Sequence, residues 1–424
     1  MDVLSGKRLL ILGANPETIP LVQKANSMGI HTIVTDYTHG APAKDVASES
    51  YDVDGSDVDA LVALGKKLKI DGVLVGVADR LIVPYQQVCN KLGLPCYGTE
   101  EQCAVFTDKM RFNEECAKYG LKGIPSYSLD ANMCEEVVKT IQYPVLIKPS
   151  DSNSGKGMTI CYKEDELSDA VSHALSYSAS KRFLTERYMI CDDIFVFYTF
   201  VDGTYWPSII ADRFTCKGQN GGSPVCQGAR SPSKYADLFM RTVHPKLSKM
   251  FQSLQVKNGV LMISAFVENE EFYLYDPGFR LQGEAPNLTA FEMTGFNHLE
   301  MLLHFALTGE NPYGRETLLP TCTQWGKVAF TIWYLLRPGR IKQIIGLERI
   351  CNDPSVYQVV TRFEEGDVIL PEFVGTESQV FARVYVTCNT FEQLYRKIDE
   401  LQKNLCILDE EGRSMLLPGV KLQE

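Results

Sequence analysis

Two residues near the end of one apolar segment have the types and spacing to hold a metal ion and an anion side by side. The segment NGVLMISAFVENEEFYLYDPGFRLQGE (258–284) has two apolar runs around the polar turn ENEE, which predicts a β-hairpin. Asp276 ends the second run, and Gly278 and Arg280 follow it. Carboxylate oxygens suit Mg²⁺, and a planar guanidinium binds both oxygens of an anion. Taken alone, the pattern is more typical of a solvated turn, so the case for a site depends on residues upstream.

Upstream, a lysine and a glycine-rich segment supply groups that suit phosphate. Lys148 follows four apolar residues in YPVLIKPS, so we expect its ammonium group to be partly buried and to need an anionic partner. The segment SGKG that follows offers backbone N–H groups with little side-chain obstruction. By itself SGKG usually marks a hairpin turn. A lysine on the strand before it and a strand after it favour a phosphate-binding flap at about 150–158.

The elements that must position these groups alternate regularly in the first part of the chain. Apolar runs at 7–12, 31–36 and 72–77 are separated by helical stretches, which predicts an open parallel sheet. The first turn, GANPE, lacks the second and third glycines of GxGxxG, so NAD binding is not expected. This sheet is instead expected to help hold a small substrate at the ends of its strands.

The second part of the chain begins with a helical stretch that contains Lys109 and continues with strands. Residues 213–234 are rich in Gly, Ser, Pro and cations, which favours a mobile loop over a site. From about Gln324 onwards, apolar runs and a last helix at 390–403 predict a small α+β module.

Composition excludes several classes of protein. With 424 residues the chain is too long for one core, so two or three domains are expected. A net charge of −11 without a basic block argues against nucleic acid as a partner. No segment predicts a membrane span or a signal peptide. The 13 cysteines contain no CxxC pair and predict reduced thiols in a cytoplasmic protein.

The order of these pieces resembles the ATP-grasp superfamily, whose members include biotin carboxylase and carbamoyl-phosphate synthetase. EFYLYDPGFRLQGE is similar to their metal-binding strand, and KPSDSNSGKGM is similar to their lysine, flap and methionine. The resemblance covers essentially the whole chain. It implies an α/β and α+β multidomain protein with the ATP-grasp fold. The expected parts are a Rossmann-like pre-ATP-grasp domain (1–98), an ATP-grasp domain (99–325) and a β-rich C-terminal α+β domain (326–424).

The resemblance also implies which residues bind ATP. Lys109 and Lys148 would contact the α- and β-phosphates. The flap that closes over the phosphates would consist of Ser154, Gly155, Lys156 and Gly157.

Further residues would bind the nucleoside. Asp193, or alternatively Asp192, would accept hydrogen bonds from the ribose hydroxyls. The adenine would be enclosed by Met158 and Phe266, and its edge would be read by Glu186 together with the main chain of Arg187 and Met189.

The implied divalent cation is Mg²⁺, with Mn²⁺ as an option, and its implied ligand is Asp276. Such enzymes usually carry a carboxylate or amide where this chain has Ser264, and Asn where it has Gly278. Two magnesium ions normally share these ligands, so the set is incomplete here. Glu284, with Asn287 close by, could substitute. Otherwise the site would hold fewer metal ions, or bind nucleotide without turnover.

The activity implied by the resemblance is that of an ADP-forming, ATP-dependent ligase. Its partners would be a small-molecule carboxylate, activated as an acyl phosphate, and an amine or ammonia. Arg280 would hold the carboxylate or acyl phosphate, and Lys148 would act beside it in catalysis. A carboxylase that forms carboxyphosphate and a non-catalytic ATP-binding protein are the alternatives, and a homodimer is left open.

Overall fold

The computed structural model describes residues 3–150, 157–178, 180–216, 225–314 and 326–422. The predicted flap residues Ser154, Gly155 and Lys156 therefore lie outside the described ranges. None of the helices in these ranges is long and apolar enough to cross a membrane.

A parallel sheet forms the N-terminal region, as the alternation of apolar runs predicts. Its elements are β1 (Arg8–Leu12), α1 (Ile19–Ser27), β2 (His31–Thr35), β3 (Glu49–Tyr51), α2 (Val58–Leu68), β4 (Gly72–Val75) and α3 (Ile82–Leu92). The strand order is β3-β2-β1-β4, and every pairing is parallel. The carboxyl ends of these strands therefore meet at one edge, where ligands bind in open α/β sheets.

A small antiparallel lobe follows. The elements of this part of the chain are α4 (Glu100–Thr107), α5 (Lys109–Lys118), β5 (Lys122–Gly123), β6 (Ser126–Tyr127), α6 (Glu135–Val138), β7 (Val145–Pro149), β8 (Thr159–Cys161), α7 (Leu167–Tyr177) and β9 (Phe183–Arg187). The lobe is the sheet β6-β9-β7-β8, and α7 shares its separate apolar core. The helical stretch expected around Lys109 is two helices. Asp108 separates them because its carboxylate accepts hydrogen bonds from the backbone N–H groups of Met110 (2.8 Å) and Arg111 (3.2 Å).

The main sheet has nine strands within the described ranges. The chain segment that forms its central part has the elements β10 (Asp192–Val201), β11 (Thr204–Cys216), β12 (Val225–Ser231), α8 (Ala236–Thr242), α9 (His244–Ser253), β13 (Gly259–Glu268), β14 (Glu271–Gly278), α10 (Pro286–Thr294) and α11 (His298–Thr308). The hairpin predicted from 258–284 is β13 and β14, and its turn is at the expected place.

The prediction of a mobile loop at 213–234 is wrong for the described residues. β11 and β12 cover much of this range and pair with each other in the interior of the sheet. Gly228 shows why glycine misled the prediction, because a Cβ there would lie 2.4 Å from a ring carbon of Phe330. This glycine permits a close approach between strands and does not mark a loop.

Among the described residues, the C-terminal elements include three strands that extend the same sheet and four strands that form two separate two-stranded sheets. They are β15 (Val328–Leu335), β16 (Gly339–Arg340), β17 (Gln343–Ile345), α12 (Leu347–Cys351), β18 (Val356–Thr361), β19 (Val368–Ile369), β20 (Val380–Cys388), α13 (Phe391–Asn404) and β21 (Cys406–Leu408). The full strand order is β18-β20-β15-β12-β11-β10-β13-β14-β5. This part also has a second apolar core, in which α13 packs on β15 and β20. The three domain ranges remain a prediction, since one sheet runs across residue 326.

Candidate active site

Asp276 lies at a bulge of β14, next to the first residue of α5. The register between β13 and β14 shifts between Ile263 and Ser264, and Asp276 is the additional residue on the bulged strand. Its φ of 49° is a left-handed conformation that is uncommon outside glycine. Asp276 Oδ1 lies 2.8 Å from Lys109 Nζ, and about half of each side chain is exposed (54% and 50%). The bulge thus presents the carboxylate to an open crevice.

Other charged groups converge on this ion pair. The carboxylate of Asp276 raises the pKa of Lys109 against the effect of partial burial, and two further carboxylates, Glu186 and Asp79, raise it as well. Burial opposes ionisation of Asp276, but nearby cations, above all Lys109, outweigh burial and hold the pKa of the carboxyl below its usual value. Both groups are therefore charged at neutral pH.

Lys148 and Glu186 lie on neighbouring strands of the antiparallel lobe. Lys148 Nζ lies 2.5 Å from Glu186 Oε2, and only 15% and 10% of these side chains are exposed. The prediction that Lys148 is partly buried and needs an anionic partner is confirmed, and the partner is a protein carboxylate. A phosphate would have to share or replace this partner.

One backbone group beside Glu186 already has a hydrogen-bond partner within the protein. The backbone N–H of Arg187 donates to the carbonyl of Pro125 at 2.8 Å, and its guanidinium pairs with both carboxylate oxygens of Glu268 at 2.7 and 2.8 Å. Met189 is buried just beyond β9. The structure thus places Glu186, Arg187 and Met189 on one short segment between the lobe and the main sheet.

Two flap residues fall within the described ranges. Gly157 has a φ of +75°, and a Cβ there would lie 2.7 Å from the Cβ of Tyr177 and 2.8 Å from Pro149 Cγ. Only glycine fits this position without a shift of α7 or β7. Met158 follows it, half-buried, immediately before β8.

Arg280 lies behind Asp276 and connects the main sheet to the N-terminal sheet. Its guanidinium pairs with the carboxylate of Asp79, just beyond the carboxyl end of β4. It also donates to the carbonyl of Leu281 at 2.7 Å and to Gln282 Oε1 at 3.1 Å. Burial raises the pKa of Asp79, although Arg280 opposes the shift. Arg280 is thus held rigidly at the strand ends where the sequence predicted a substrate.

Arg213 on β11 is the centre of a buried group that we name the Arg213 cluster. Its Nη1 lies 3.1 Å from Asp193 Oδ2, and its Nη2 lies 2.9 Å from Glu284 Oε1. Nη1 is also 3.3 Å from Ser264 Oγ and 3.3 Å from the hydroxyl of Tyr275. The exposed fractions of the Arg213, Asp193 and Glu284 side chains are 9%, 11% and 14%. The guanidinium therefore joins four strands or loops through oxygen atoms alone.

The Arg213 cluster bears on the predicted role of Asp193 as a hydrogen-bond acceptor for ribose. The hydroxyl of Tyr275 donates to Asp193 Oδ1 at 2.9 Å, so both carboxylate oxygens are engaged within the protein. Asp192 faces the other way, is half-exposed and pairs with Lys234 Nζ at 2.8 Å. The ring of Phe266 stacks on that of Tyr275, with centroids 4.5 Å apart. Of the nucleoside-binding predictions, Phe266 and Asp193 thus share one face of the sheet, and Asp192 lies on the opposite face.

The two predicted metal ligands are not equivalent. Asp276 fits a cation shared with nucleotide phosphates, because its carboxylate is in the open crevice beside Lys109 and Arg280. Glu284 fits poorly, because one oxygen is paired with Arg213 and the other, Oε2, is buried without a hydrogen-bond partner among the described residues. Within those residues, no group of three or more His, Cys, Asp or Glu side chains could hold a metal ion.

Three charged residues in or near the candidate site are not among the residues predicted from the sequence. Arg213 was hidden in the segment interpreted as a loop, although SIIADRF, with its apolar run, is typical of a strand. Asp79 follows an apolar strand and could have been found from its place at the sheet edge. Glu17, just beyond β1, is buried and pairs with Arg362 and with Arg383, 3.3 Å away, on the C-terminal part of the sheet. No pattern in the sequence indicates that contact, which depends on tertiary structure.

The chain has the ATP-grasp fold, which the solved structures compared below share over nearly its whole length. Residues 108–191 match the family model described as "Carbamoyl-phosphate synthase L chain, ATP binding domain". The resemblance to carbamoyl-phosphate synthetase is thereby confirmed for this part of the chain, and the resemblance to biotin carboxylase is confirmed at the level of the fold by a solved structure below.

Curated relatives are similar over less than half of the chain. The formate-dependent phosphoribosylglycinamide formyltransferase of Sulfurisphaera tokodaii is 27% identical over 197 residues, which is 44% of this chain and 48% of the relative. The carbamoyl phosphate synthase large chain of Clostridium beijerinckii is 23% identical over 211 residues, 46% of this chain and 20% of the relative. The matched segments thus span half or less of these relatives.

Solved structures match over nearly the whole chain. The L-amino acid ligase of Bacillus licheniformis is 16% identical with a TM-score of 0.77, covering 96% of this chain and 99% of that one. Phosphoribosylglycinamide synthetase of Anaerococcus prevotii is 20% identical with a TM-score of 0.73, covering 95% and 100%. The biotin carboxylase domain of the Hydrogenobacter thermophilus 2-oxoglutarate carboxylase, a dimer with MgADP and bicarbonate, is 16% identical with a TM-score of 0.75, covering 97% and 91%.

Proposed function

We propose that this protein is an ADP-forming, ATP- and Mg²⁺-dependent ligase that joins a small-molecule carboxylate to an amine or ammonia. The observation that carries the proposal is the proximity of three ion pairs, Lys109–Asp276, Lys148–Glu186 and Arg280–Asp79, whose carboxylates all raise the pKa of Lys109. Such an arrangement provides cations for phosphates, a carboxylate for a divalent cation and a guanidinium for a substrate carboxylate. The fold of the compared structures supports it.

The proposed chemistry assigns a distinct task to each cation. Lys109 and Lys148 would neutralise the phosphates of ATP, which positions the γ-phosphate for transfer. Arg280 would hold the substrate carboxylate through its planar fork, in place of part of its contact with Asp79. The divalent cation, with Asp276 as its protein ligand, supplies further neutralisation of the triphosphate.

Glu284 suits the amine substrate better than the metal. Burial raises the pKa of its carboxyl, and Arg213 only partly opposes this. Its Oε2, which has no hydrogen-bond partner among the described residues, would accept a hydrogen bond from the amine that attacks the acyl phosphate. A carboxylate with a raised pKa is also a stronger base, which favours removal of a proton from the amine.

The expected cofactors follow from the same proposal. ATP and Mg²⁺ are the expected cofactors, with Mn²⁺ as a substitute. A homodimer and a cytoplasmic location remain predictions from the sequence. A non-catalytic nucleotide-binding protein is the second candidate, favoured by the incomplete ligand set around Ser264 and Gly278.

The test is a turnover screen of the purified protein with Mg-ATP and pools of carboxylates and amines, with bicarbonate as a separate pool. Release of ADP and phosphate that depends on both pools supports the ligase. Release with bicarbonate alone indicates a carboxylase. AMP and pyrophosphate would contradict acyl-phosphate chemistry, and ATP binding without release from any pool would favour the non-catalytic protein.

A further inference from the structure

The geometry points to a nucleotide site built for one divalent cation, in which the guanidinium of Arg213 is a fixed cation among oxygen ligands that a second metal ion would need. The inference rests on the proposed function, because it concerns the same nucleotide site. It concerns Ser264 and Gly278, the two departures from the expected ligand set.

The first observation is the coordination of Arg213. Its two terminal nitrogens contact oxygen atoms of Asp193, Glu284, Ser264 and Tyr275 at 2.9–3.3 Å. These are two carboxylates and two hydroxyls, the kind of hard oxygen donors that bind Mg²⁺. Arg213 thus pairs with one oxygen of each carboxylate, and the exposed fraction of its side chain is only 9%.

The second observation concerns the position of Gly278. A Cβ at this glycine would lie 2.6 Å from Gln282 Nε2 and 3.2 Å from Gln282 Oε1. Gln282 is itself fixed, because Nε2 donates to the carbonyls of Gly278 and Arg280 at 2.9 Å each, and Oε1 accepts from Arg280. The amide of Gln282 therefore fills the space that a ligand side chain at position 278 would take, and supports Arg280 from there.

At both positions where an expected metal ligand is missing, Ser264 and Gly278, another side chain of the protein takes its place. Arg213 compensates at Ser264, and Gln282 compensates at Gly278. A metal ion between Asp193 and Glu284 would stand next to the guanidinium, and a dication doubles the repulsion that a unit charge would meet there. One divalent cation, held by Asp276 and the nucleotide phosphates, is the arrangement that this donor set allows.

Arg213 also affects the charge on Asp276 from a distance. Its positive charge contributes to the low pKa of that carboxyl, after the larger contribution of Lys109. The guanidinium supplies part of the positive charge that a second metal ion would supply, and it cannot be removed by dilution or by a chelator. We therefore expect nucleotide complexes of this protein to respond to metal concentration with a single binding step.

The experiment counts Mn²⁺ ions bound per chain, by electron paramagnetic resonance, at saturating non-hydrolysable ATP analogue. The wild-type complex should bind one Mn²⁺. Arg213→Met frees two carboxylates and should bind two, whereas Arg213→Lys retains a cation and should bind one. Arg230→Met is the matched control: Arg230 pairs with Asp212, the neighbour of Arg213 on β11, and its loss should leave the count at one.

Each result supports or overturns the inference. Two ions on the wild-type complex would overturn it, as would a count of one on folded, nucleotide-bound Arg213→Met. If Arg213→Met does not fold, the count on the wild-type complex decides the inference by itself: one ion supports it and two ions overturn it. Calorimetric titration with the analogue precedes the count: failure of the wild type to bind it would refute the proposed function itself, whereas binding with two metal ions refutes only the single-cation site.

Discussion

The ion pair Lys109–Asp276 and the Arg213 cluster are neighbours, yet they differ in how far they are open to solvent. About half of each side chain in the first is exposed, whereas the charged side chains of the second are at least 86% buried. An exposed pair contributes little to stability and can exchange its partner for a ligand. A buried pair cannot lose one member without leaving an uncompensated charge. The site therefore combines exchangeable charges, which face the nucleotide, with fixed charges, which hold the sheet together.

The largest expected effect is on stability and separates the two groups directly. Arg213→Met leaves Asp193 and Glu284 buried without a counter-charge, which should lower the free energy of unfolding by about 3–5 kcal/mol. Lys109→Met breaks an exposed pair and should cost about 0–1 kcal/mol. Urea denaturation of both variants measures the difference. Equal losses of unfolding free energy in the two variants would show that the difference in burial does not affect stability.

The next effect is on turnover. Asp276→Asn keeps the shape of the side chain but removes the anionic oxygen that the divalent cation requires. Activity should fall about 100-fold or more, beyond the 10–100-fold typical of residues that only support a metal ligand. Nucleotide binding without metal should change little. A folded variant with wild-type turnover at low Mg²⁺ would remove β14 from the proposed metal site.

Lys148→Ala should weaken nucleotide binding by about 1.5–3 kcal/mol, the contribution of a charged hydrogen bond. The variant also leaves Glu186 buried without its partner, which could lower affinity through loss of stability. The double variant Lys148→Ala/Glu186→Gln removes that stranded charge, and its comparison with Glu186→Gln alone isolates the contact of Lys148 with phosphate from any adenine contact of Glu186. Calorimetry on the three variants, with circular dichroism as the folding control, tests the assignment, and equal affinity of the double variant and Glu186→Gln would make Lys148 a structural residue.

Glu284→Gln tests whether Glu284 belongs to the substrate or to the metal. Because Arg213 holds one of its oxygens, we expect the Mg²⁺ concentration for half-maximal activity to stay constant. The Michaelis constant for the amine should rise about tenfold, the effect of weakening one charged hydrogen bond. A higher Mg²⁺ requirement with a constant Michaelis constant would instead make Glu284 a metal ligand.

The smallest expected effect concerns pH. Burial raises the pKa of Glu17, but Arg362 and Arg383 outweigh burial and lower it below the usual 4.5. A lowered pKa means that the carboxylate stabilises the fold fully above about pH 4.5 and loses this effect as pH falls through the lowered value. The stability difference between wild type and Glu17→Gln should therefore be constant at neutral pH and shrink below pH 4.5. A difference that grows on acidification would contradict the ion pairs at Glu17.

The sequence was informative where local pattern decides structure. The hairpin 258–284 was predicted because aromatic and β-branched residues flank a polar turn, and this is a local signal. The parallel sheet was predicted from alternation in the same way. Lys148 was expected to need an anion because it follows buried apolar residues, but the partner, Glu186, is contributed by a different strand.

The errors have identifiable physical causes. At 213–234, glycine and proline content suggested a loop, but Gly228 packs beneath the ring of Phe330 inside the sheet. The helix expected around Lys109 is broken by Asp108, whose capping role requires its side chain to turn back on the next backbone N–H groups. Arg213 was missed for the first reason, because a residue placed in a loop is not considered as a buried cation.

The shared nine-stranded sheet has a consequence for the order in which the protein is made. β12 lies inside the sheet only because β15 pairs with its outer side, and β15 is followed by β20 and β18. During synthesis, β10 to β14 leave the ribosome well before residue 335, so β12 presents open backbone groups until then. An uncovered strand edge is a template for association between chains. Slow translation or an early stop between 284 and 335 is therefore expected to produce aggregates, although every residue of the proposed nucleotide site has already been made.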